Sequence, residues 1–254
     1  MSGMAPLALI TGAGSGIGHA LAQRLLARGH DIVAIGRRRA PLDALAAQAP
    51  QRVLPLDLDI TADDAPQRVL AALGERVPDR IVHNAATLEP AGPLAGIERA
   101  ALRAHLETNL VAPLFLTQAF LPRLPRGARV LHISSGAAHR PQAGWGPYCM
   151  SKSAFHMLYQ CWQTELAERG ILVGSARPGV VDTPMQETIR GLSAEAFPAV
   201  NRFRRLKSDG ALLAPTTVAR FLAWLLLDAD DTTFTVHEHD VRDDALAPHW
   251  HTPD

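Results

Sequence analysis

Only two cysteines, Cys149 and Cys161, occur in the 254 residues. They stand twelve apart in a stretch that reads as one helix, a rise of roughly 18 Å, which is beyond disulfide reach. They are expected as free thiols in a reducing compartment. Long apolar runs are also missing. The run at 221–227 is far too short to cross a bilayer, and the opening MSGMAPLALITGAG has no basic segment and is cut by glycines, so it does not read as a signal peptide. A cytoplasmic, soluble chain is expected. No charge of either sign dominates: 25 basic and 25 acidic residues give a formal net charge of +0. Nucleic acid and anionic membranes are thereby excluded as electrostatic partners. Lysine is the scarcest cation, because all but Lys152 and Lys207 are arginines, and tyrosine occurs only as Tyr148 and Tyr159. One of each falls in GPYCMSK, residues 146–152, four positions apart.

Apolar content, at 47%, is ample for a core. Short apolar runs at 7–10, 31–35, 53–58, 80–83, 129–134, 171–176 and 234–241 alternate with helical spacing at 39–49, 62–76, 98–124, 147–169 and 215–227, and Ile17, Leu21, Leu25 and Leu26 mark a helix that ends at Gly29. This rhythm predicts a single α/β domain: a Rossmann-like doubly wound parallel sheet of about seven strands, with helices on both faces. Residues 182–214 break the rhythm between a strand and a helix, and an insertion of that length reads as a substrate lid.

The first strand runs into Thr11-Gly12-Ala13-Gly14-Ser15-Gly16-Ile17-Gly18 and so into the first helix. Glycines there let a pyrophosphate approach the helix N-terminus, where free N–H groups favour anions. The second strand ends in Gly36-Arg37-Arg38, with no acid to hold a ribose 2′-hydroxyl and with arginine to meet a 2′-phosphate. The expected cofactor is NADP(H); a solvated arginine run is the alternative. Tyr148 and Lys152, four apart at a helix start, share one face and point at the sheet edge reached by Ser135. An ammonium about 4 Å from the phenolate would interact by roughly 4 kcal/mol, at most about three pKa units, so Lys152 is expected to lower the pKa of Tyr148.

Together TGAGSGIG, His83-Asn84-Ala85-Ala86, Asn109 within ETNLVAP, ISS ending at Ser135, YCMSK and RPGVVDTPM, in that order, resemble the short-chain dehydrogenase/reductase family. The resemblance implies that Tyr148 is the proton donor to a substrate carbonyl, that Ser135 binds the same oxygen, that Lys152 holds the nicotinamide ribose, and that Asn109 supports a proton relay through Lys152. It implies cofactor contacts at Gly12, Ser15, Gly16, Ile17, Gly18, Arg37, Arg38, Asp57, Leu58, Asn84, Ala85, Tyr148, Lys152, Pro178, Val181 and Thr183. His83 and Ala86 depart from the family's usual NNAG, and Ser15 stands where a basic residue is common, which leaves Arg37 as principal phosphate ligand.

The last third is similar to the sepiapterin reductase and benzil reductase branch, which implies reduction of a ketone or 1,2-dicarbonyl. A dehydrogenase of a secondary alcohol or hydroxy acid and a non-catalytic NADP-binding redox sensor are the other readings. Trp145, Met185, Phe197 and Phe203 are candidates for apolar walls of the site or for simple packing, and Glu238 or Asp240 for a substrate anchor. His237-Glu238-His239 and His249-Trp250-His251 carry no complete structural zinc spacing, so no metal is expected and the tail reads as solvated. Leu158, Trp162 and Leu166 suit either a homodimer or homotetramer contact or core packing.

Overall fold

The computed structural model describes residues 5–251; residues 1–4, part of the opening stretch read above, and 252–254 lie outside the described residues. In chain order the elements are β1 (Leu7–Thr11), α1 (Gly16–Ala27), β2 (Asp31–Gly36), α2 (Arg39–Ala46), β3 (Val53–Asp57), α3 (Ala65–Leu73), β4 (Arg80–His83), α4 (Arg99–Leu106), α5 (Ala112–Phe120), β5 (Arg129–Ile133), α6 (Gly146–Leu166), β6 (Leu172–Arg177), α7 (Pro184–Gly191), α8 (Val200–Ser208), α9 (Pro215–Leu227), α10 (Asp231–Thr235), β7 (His239–Asp240) and α11 (Ala247–Trp250). One seven-stranded sheet runs β3-β2-β1-β4-β5-β6-β7, every pair parallel. Chain order reverses between β1 and β4, which opens a crevice at the carboxyl ends of those strands.

Helices cover both faces. Because β1 is buried at every position, Leu7–Ile10 is a continuous apolar run rather than an alternating one; β5 is equally buried but carries Arg129 and His132 among its apolar residues. One face packs against α1 and α9 through Leu21, Leu25, Phe221 and Leu222, the other against α3, α5 and α6 through Val69, Phe120 and Trp162. Arginine does structural work in this packing. Arg129, 7% exposed, donates to the carbonyls of Leu225 (2.8 Å) and Ala229 (2.7 Å), and Arg80 donates to that of Leu226 (2.9 Å). The carbonyls that α9 leaves open at its C-terminus thus find cationic partners on the sheet.

Three expectations are corrected. The helix expected at 98–124 divides, because Pro113 has no N–H for the ladder, and the chain passes through a π-helical turn at Glu107–Val111 between α4 and α5. The strand expected at 234–241 shrinks to two residues. Asp230 accepts from the Thr233 N–H (2.7 Å) and starts α10, which turns Phe234 against Gly174, where a β-carbon would meet the ring at 2.8 Å. The tail is solvated only in part: His237, His249 and His251 are exposed, but His239 is buried and Trp250 packs 5.6 Å from Phe221. Among the described residues no helix is long and apolar enough to cross a membrane.

Two histidines sit inside the sheet. His83 and His132 meet edge to face at 5.3 Å, His132 stacks on Phe155 at 4.2 Å, and His83 Nε2 lies 2.7 Å from Thr117 Oγ1. Burial pushes His83 down to about 3 and His132 well below its ordinary value. Between pH about 6.5 and about 3 the unfolded chain therefore binds more protons than the native one, so stability falls as pH falls through that window. Urea unfolding at several pH values is expected to show this loss, and His83→Asn to flatten it by up to about 1.4 kcal/mol per pH unit.

Candidate active site

Helix α6 starts with Pro147 in its first turn, where a proline gives up no helical hydrogen bond and its fixed φ suits the helix. Along it Tyr148, Ser151, Lys152, Phe155 and Tyr159 recur at three- and four-residue intervals, and all five are buried. This face lies on the end of β5. Lys152, 3% exposed, donates from Nζ to the Ile133 carbonyl at 2.8 Å. Two residues on, Ser135 lies near enough to the Tyr148 phenol to pull its pKa down, and its Oγ accepts from the Ala137 N–H (3.1 Å), which opens a tight turn at Gly136–Ala138. Ser135, Tyr148 and Lys152, thirteen and four residues apart in the chain, thus share one spot.

The electrostatics run against the sequence expectation. Burial pushes the Tyr148 phenol up to about 12; the opposing pull comes from Ser135, not Lys152. Lys152 is itself pushed down to about 8 by burial, against the field of Glu238. Two desolvated groups, the lysine ammonium 5.8 Å from the tyrosine ring centroid, each resist charging. Tyr148 therefore stands as a neutral hydrogen donor. Burial likewise raises the Cys149 thiol, which makes it a poor nucleophile.

Asn109 lies in the π-helical turn, and its side chain does not reach Lys152. Its Oδ1 accepts from the Thr87 N–H (2.8 Å), and its Nδ2 donates to Thr87 O (2.9 Å) and Ser151 Oγ (3.2 Å) and lies 3.0 Å from His105 Nε2. His105 Nδ1 sits 2.8 Å from Glu89 O, which makes that nitrogen the donor and leaves Nε2 to accept. Asn109 so ties the segment after β4 to α6. Ser151, the third residue after Tyr148, and His105 were missed in the sequence; the i+3 spacing was the available signal for Ser151.

The glycine loop is packed from below. Thr11 Oγ1 accepts from the N–H groups of Asn84 (3.0 Å) and Ala85 (3.1 Å), and Asn84 Nδ2 donates to Thr11 O (2.9 Å). A β-carbon on Gly18 would lie 2.5 Å from Asn84 Nδ2 and from Gly12 O. Asn84 is thereby a clamp on the loop backbone. Gly12 and Gly16 take positive φ, +71° and +54°, which the turn requires. The N-terminus of α1 has no side-chain cap from Ser15 and no acid in its first turn, so its free N–H groups suit a diphosphate.

Arg37 and Arg38 are exposed beside the loop; the Arg37 charge helps hold the Asp59 carboxyl below its ordinary value, and neither side chain makes a hydrogen bond among the described residues. Asp57 instead accepts from Arg39 (3.2 Å), and Leu58 is core, its N–H on Gly36 O (2.9 Å). Ile17 packs on the core. On the far side Thr183 abuts Gly16, Val181 bridges to Leu213, and Pro178 is buried.

The 182–214 insertion folds into α7 and α8, whose apolar side meets Trp145. Trp145 stacks on Phe197 at 4.7 Å, lies 5.3 Å from Phe203 and meets Tyr148 edge-on at 5.8 Å. Phe197, fully buried behind Trp145, is packing rather than wall, while Met185 is partly buried on the same cluster. A cleft of about 440 Å³ opens nearby, between residues 90–101 and lid residues 193–196. Glu238 does not join this cluster: its carboxylate is taken by Ser175, His139, His156 and Arg177, and Asp240 is held by Arg242 and Arg177.

A short chain dehydrogenase family model matches residues 6–192. A benzil reductase ((S)-benzoin forming) of Bacillus cereus is 34% identical over 230 residues, 86% of this chain and 92% of that protein. A serine 3-dehydrogenase of Agrobacterium fabrum is 34% identical over 191 residues, 74% and 77% of the two chains. The crystal structure of the YIR035C short chain dehydrogenase/reductase of Saccharomyces cerevisiae superposes with a TM-score of 0.87 at 28% identity, over 96% of this chain and 99% of that one. The chain belongs to the short-chain dehydrogenase family.

Gly144, at φ +83°, seats the 182–214 insertion: a β-carbon there would lie 2.2 Å from the Ala196 carbonyl. Gly144→Ala is expected to displace that segment and cost roughly 1–3 kcal/mol, read as a lower melting temperature and faster proteolysis near residues 193–197.

Proposed function

We propose that this short-chain dehydrogenase reduces a ketone or 1,2-dicarbonyl with NADPH. The observation that carries the reading is the convergence of Ser135 and a protonated Tyr148 at the sheet edge beside buried Lys152. A bound nicotinamide nucleotide supplies the hydride. The uncapped α1 N-terminus fits its diphosphate, and the exposed Arg37 and Arg38 favour a 2′-phosphate over a bare ribose. Ser135 and Tyr148 hold the carbonyl oxygen. As negative charge develops there, Tyr148 gives up its phenolic proton; even near 12 a phenol is a far stronger acid than the alcohol being formed. Lys152, while charged, favours the phenolate left behind. Trp145, Met185 and the lid exclude water and offer an apolar wall, which suits the bulk of a diketone such as benzil.

The same residues run in reverse would oxidise a hydroxy compound, and the serine 3-dehydrogenase relative favours that second reading. A non-catalytic sensor would have no use for a donor phenol. Self-association as a homodimer or homotetramer belongs to the same proposal; its support is exposed Phe115 on α5 and exposed Met150 and Met157 on α6, since Trp162 and Leu166 are core.

A panel of carbonyl substrates with NADPH and NADH, followed by nicotinamide absorbance, tests the reading. Reduction is expected to favour NADPH, and Arg37→Ala to erase roughly 10–100-fold of that preference. Tyr148→Phe is expected to lose about 100-fold or more of kcat while binding NADPH normally. Since Lys152 must carry its charge, kcat/KM for reduction should hold up to pH about 8 and fall above it. Preference for NADH, or substantial turnover by Tyr148→Phe, would sink the proposal.

A further inference from the structure

Behind the Ser135 turn, three side chains from distant segments converge. His139 closes the turn that follows Ser135, His156 lies one helical turn beyond Lys152 on α6, and Glu238 precedes β7. His139 Nε2 is 2.6 Å from Glu238 Oε2, and His156 Nδ1 is 3.1 Å from Oε1. The three candidate ligand atoms lie within 4.8 Å of one another. The imidazoles stand nearly perpendicular, at 79° with centroids 4.6 Å apart, so both rings present a nitrogen to the same carboxylate.

We infer that His139 Nε2, His156 Nδ1 and the Glu238 carboxylate form a binding site for one divalent transition-metal ion of the zinc type. Two imidazoles and a carboxylate are a ligand set that zinc takes in tetrahedral geometry, with water in the remaining position. A hard cation such as magnesium, which prefers an all-oxygen shell, is disfavoured. The carboxylate is shielded while the imidazoles reach solvent: the Glu238 side chain is 5% exposed, His156 20% and His139 37%. An outer shell stands in place. Ser175 Oγ donates to Oε1 at 2.8 Å, and Arg177 contacts Oε2 at 3.2 Å while sharing its charge with Asp240. Ligands about 2.0–2.1 Å from one tetrahedral zinc stand about 3.3 Å from each other, so His139 Nε2 and Glu238 Oε2 would part from their 2.6 Å contact while the wider spacings, all within 4.8 Å, close around the ion. The ion would cross-link the Ser135 turn, α6 and the segment leading into β7, so it acts as a structural clamp behind the reactive groups and touches neither substrate nor nicotinamide.

The binding itself is independent of the proposed reduction. Full-length protein stripped with chelator is titrated with ZnCl2 by calorimetry and with CoCl2 by visible spectroscopy. Expected are one equivalent of Zn²⁺ bound at micromolar affinity or tighter, tetrahedral d–d bands with Co²⁺, no competition by MgCl2, and a melting temperature that rises with ZnCl2. His139→Ala, whose exposed ring can be removed without opening the core, should weaken binding by about 100-fold or more, and His156→Ala should do the same. The double variant His249→Ala/His251→Ala should bind as the parent does. Absence of saturable binding, affinity unchanged in His139→Ala, or binding lost instead in the tail variant would overturn the site.

Discussion

A buried ammonium against a strand carbonyl sets the register of the functional half of this molecule. Lys152 donates to Ile133 O at 2.8 Å with almost no solvent contact. A cation there needs a partner on β5, and α6 is held in the one position that provides it. Once α6 is so placed, its helical repeat does the rest: Tyr148 falls on Ser135, Ser151 on Asn109 and His105, Phe155 on His132, and His156 on Glu238. Each of these residues lies within about one helical turn of the lysine. The catalytic and the metal-ligating candidates are therefore two consequences of one packing decision.

The scarcity of lysine acquires a physical reason in this setting. Guanidinium groups serve where broad, planar donors are wanted: Arg129 and Arg80 bridge several carbonyls at the end of α9, and Arg242 grips both oxygens of Asp240. At the end of β5 the Lys152 ammonium meets a single carbonyl, that of Ile133. Burial moves Lys152 to about 8, within reach of physiological pH, where an arginine would stay charged.

Much was legible in the chain. The continuous apolar run of β1, glycines at turns and the Tyr148–Lys152 spacing each express a local rule, and each reappears where that rule predicts. Expectations failed where a distant contact outweighed the local pattern. Residues 234–235 read as strand but were captured by an Asp230 cap and by the gap over Gly174. Asn84 reads as a cofactor contact, and its side-chain N–H groups also hold the loop backbone, a second role the sequence does not display. Lys152 was expected to lower the phenol's pKa, but desolvation of both groups is the larger effect in place.

By itself the sequence determined the doubly wound parallel sheet, the glycine turn into α1 and the face of α6 that carries Tyr148 and Lys152. These follow from periodicities of two and 3.6 residues and from backbone freedom, which are properties of neighbours in the chain. Tertiary structure alone decided the protonation of Tyr148, the clamp made by Asn84, and the meeting of His139, His156 and Glu238. Desolvation and convergence of side chains depend on what fills the space around a group, and elements up to 99 residues apart in sequence fill it here. GPYCMSK thus carried the chemistry of the site within seven residues, while the charge state of that chemistry was left to the fold.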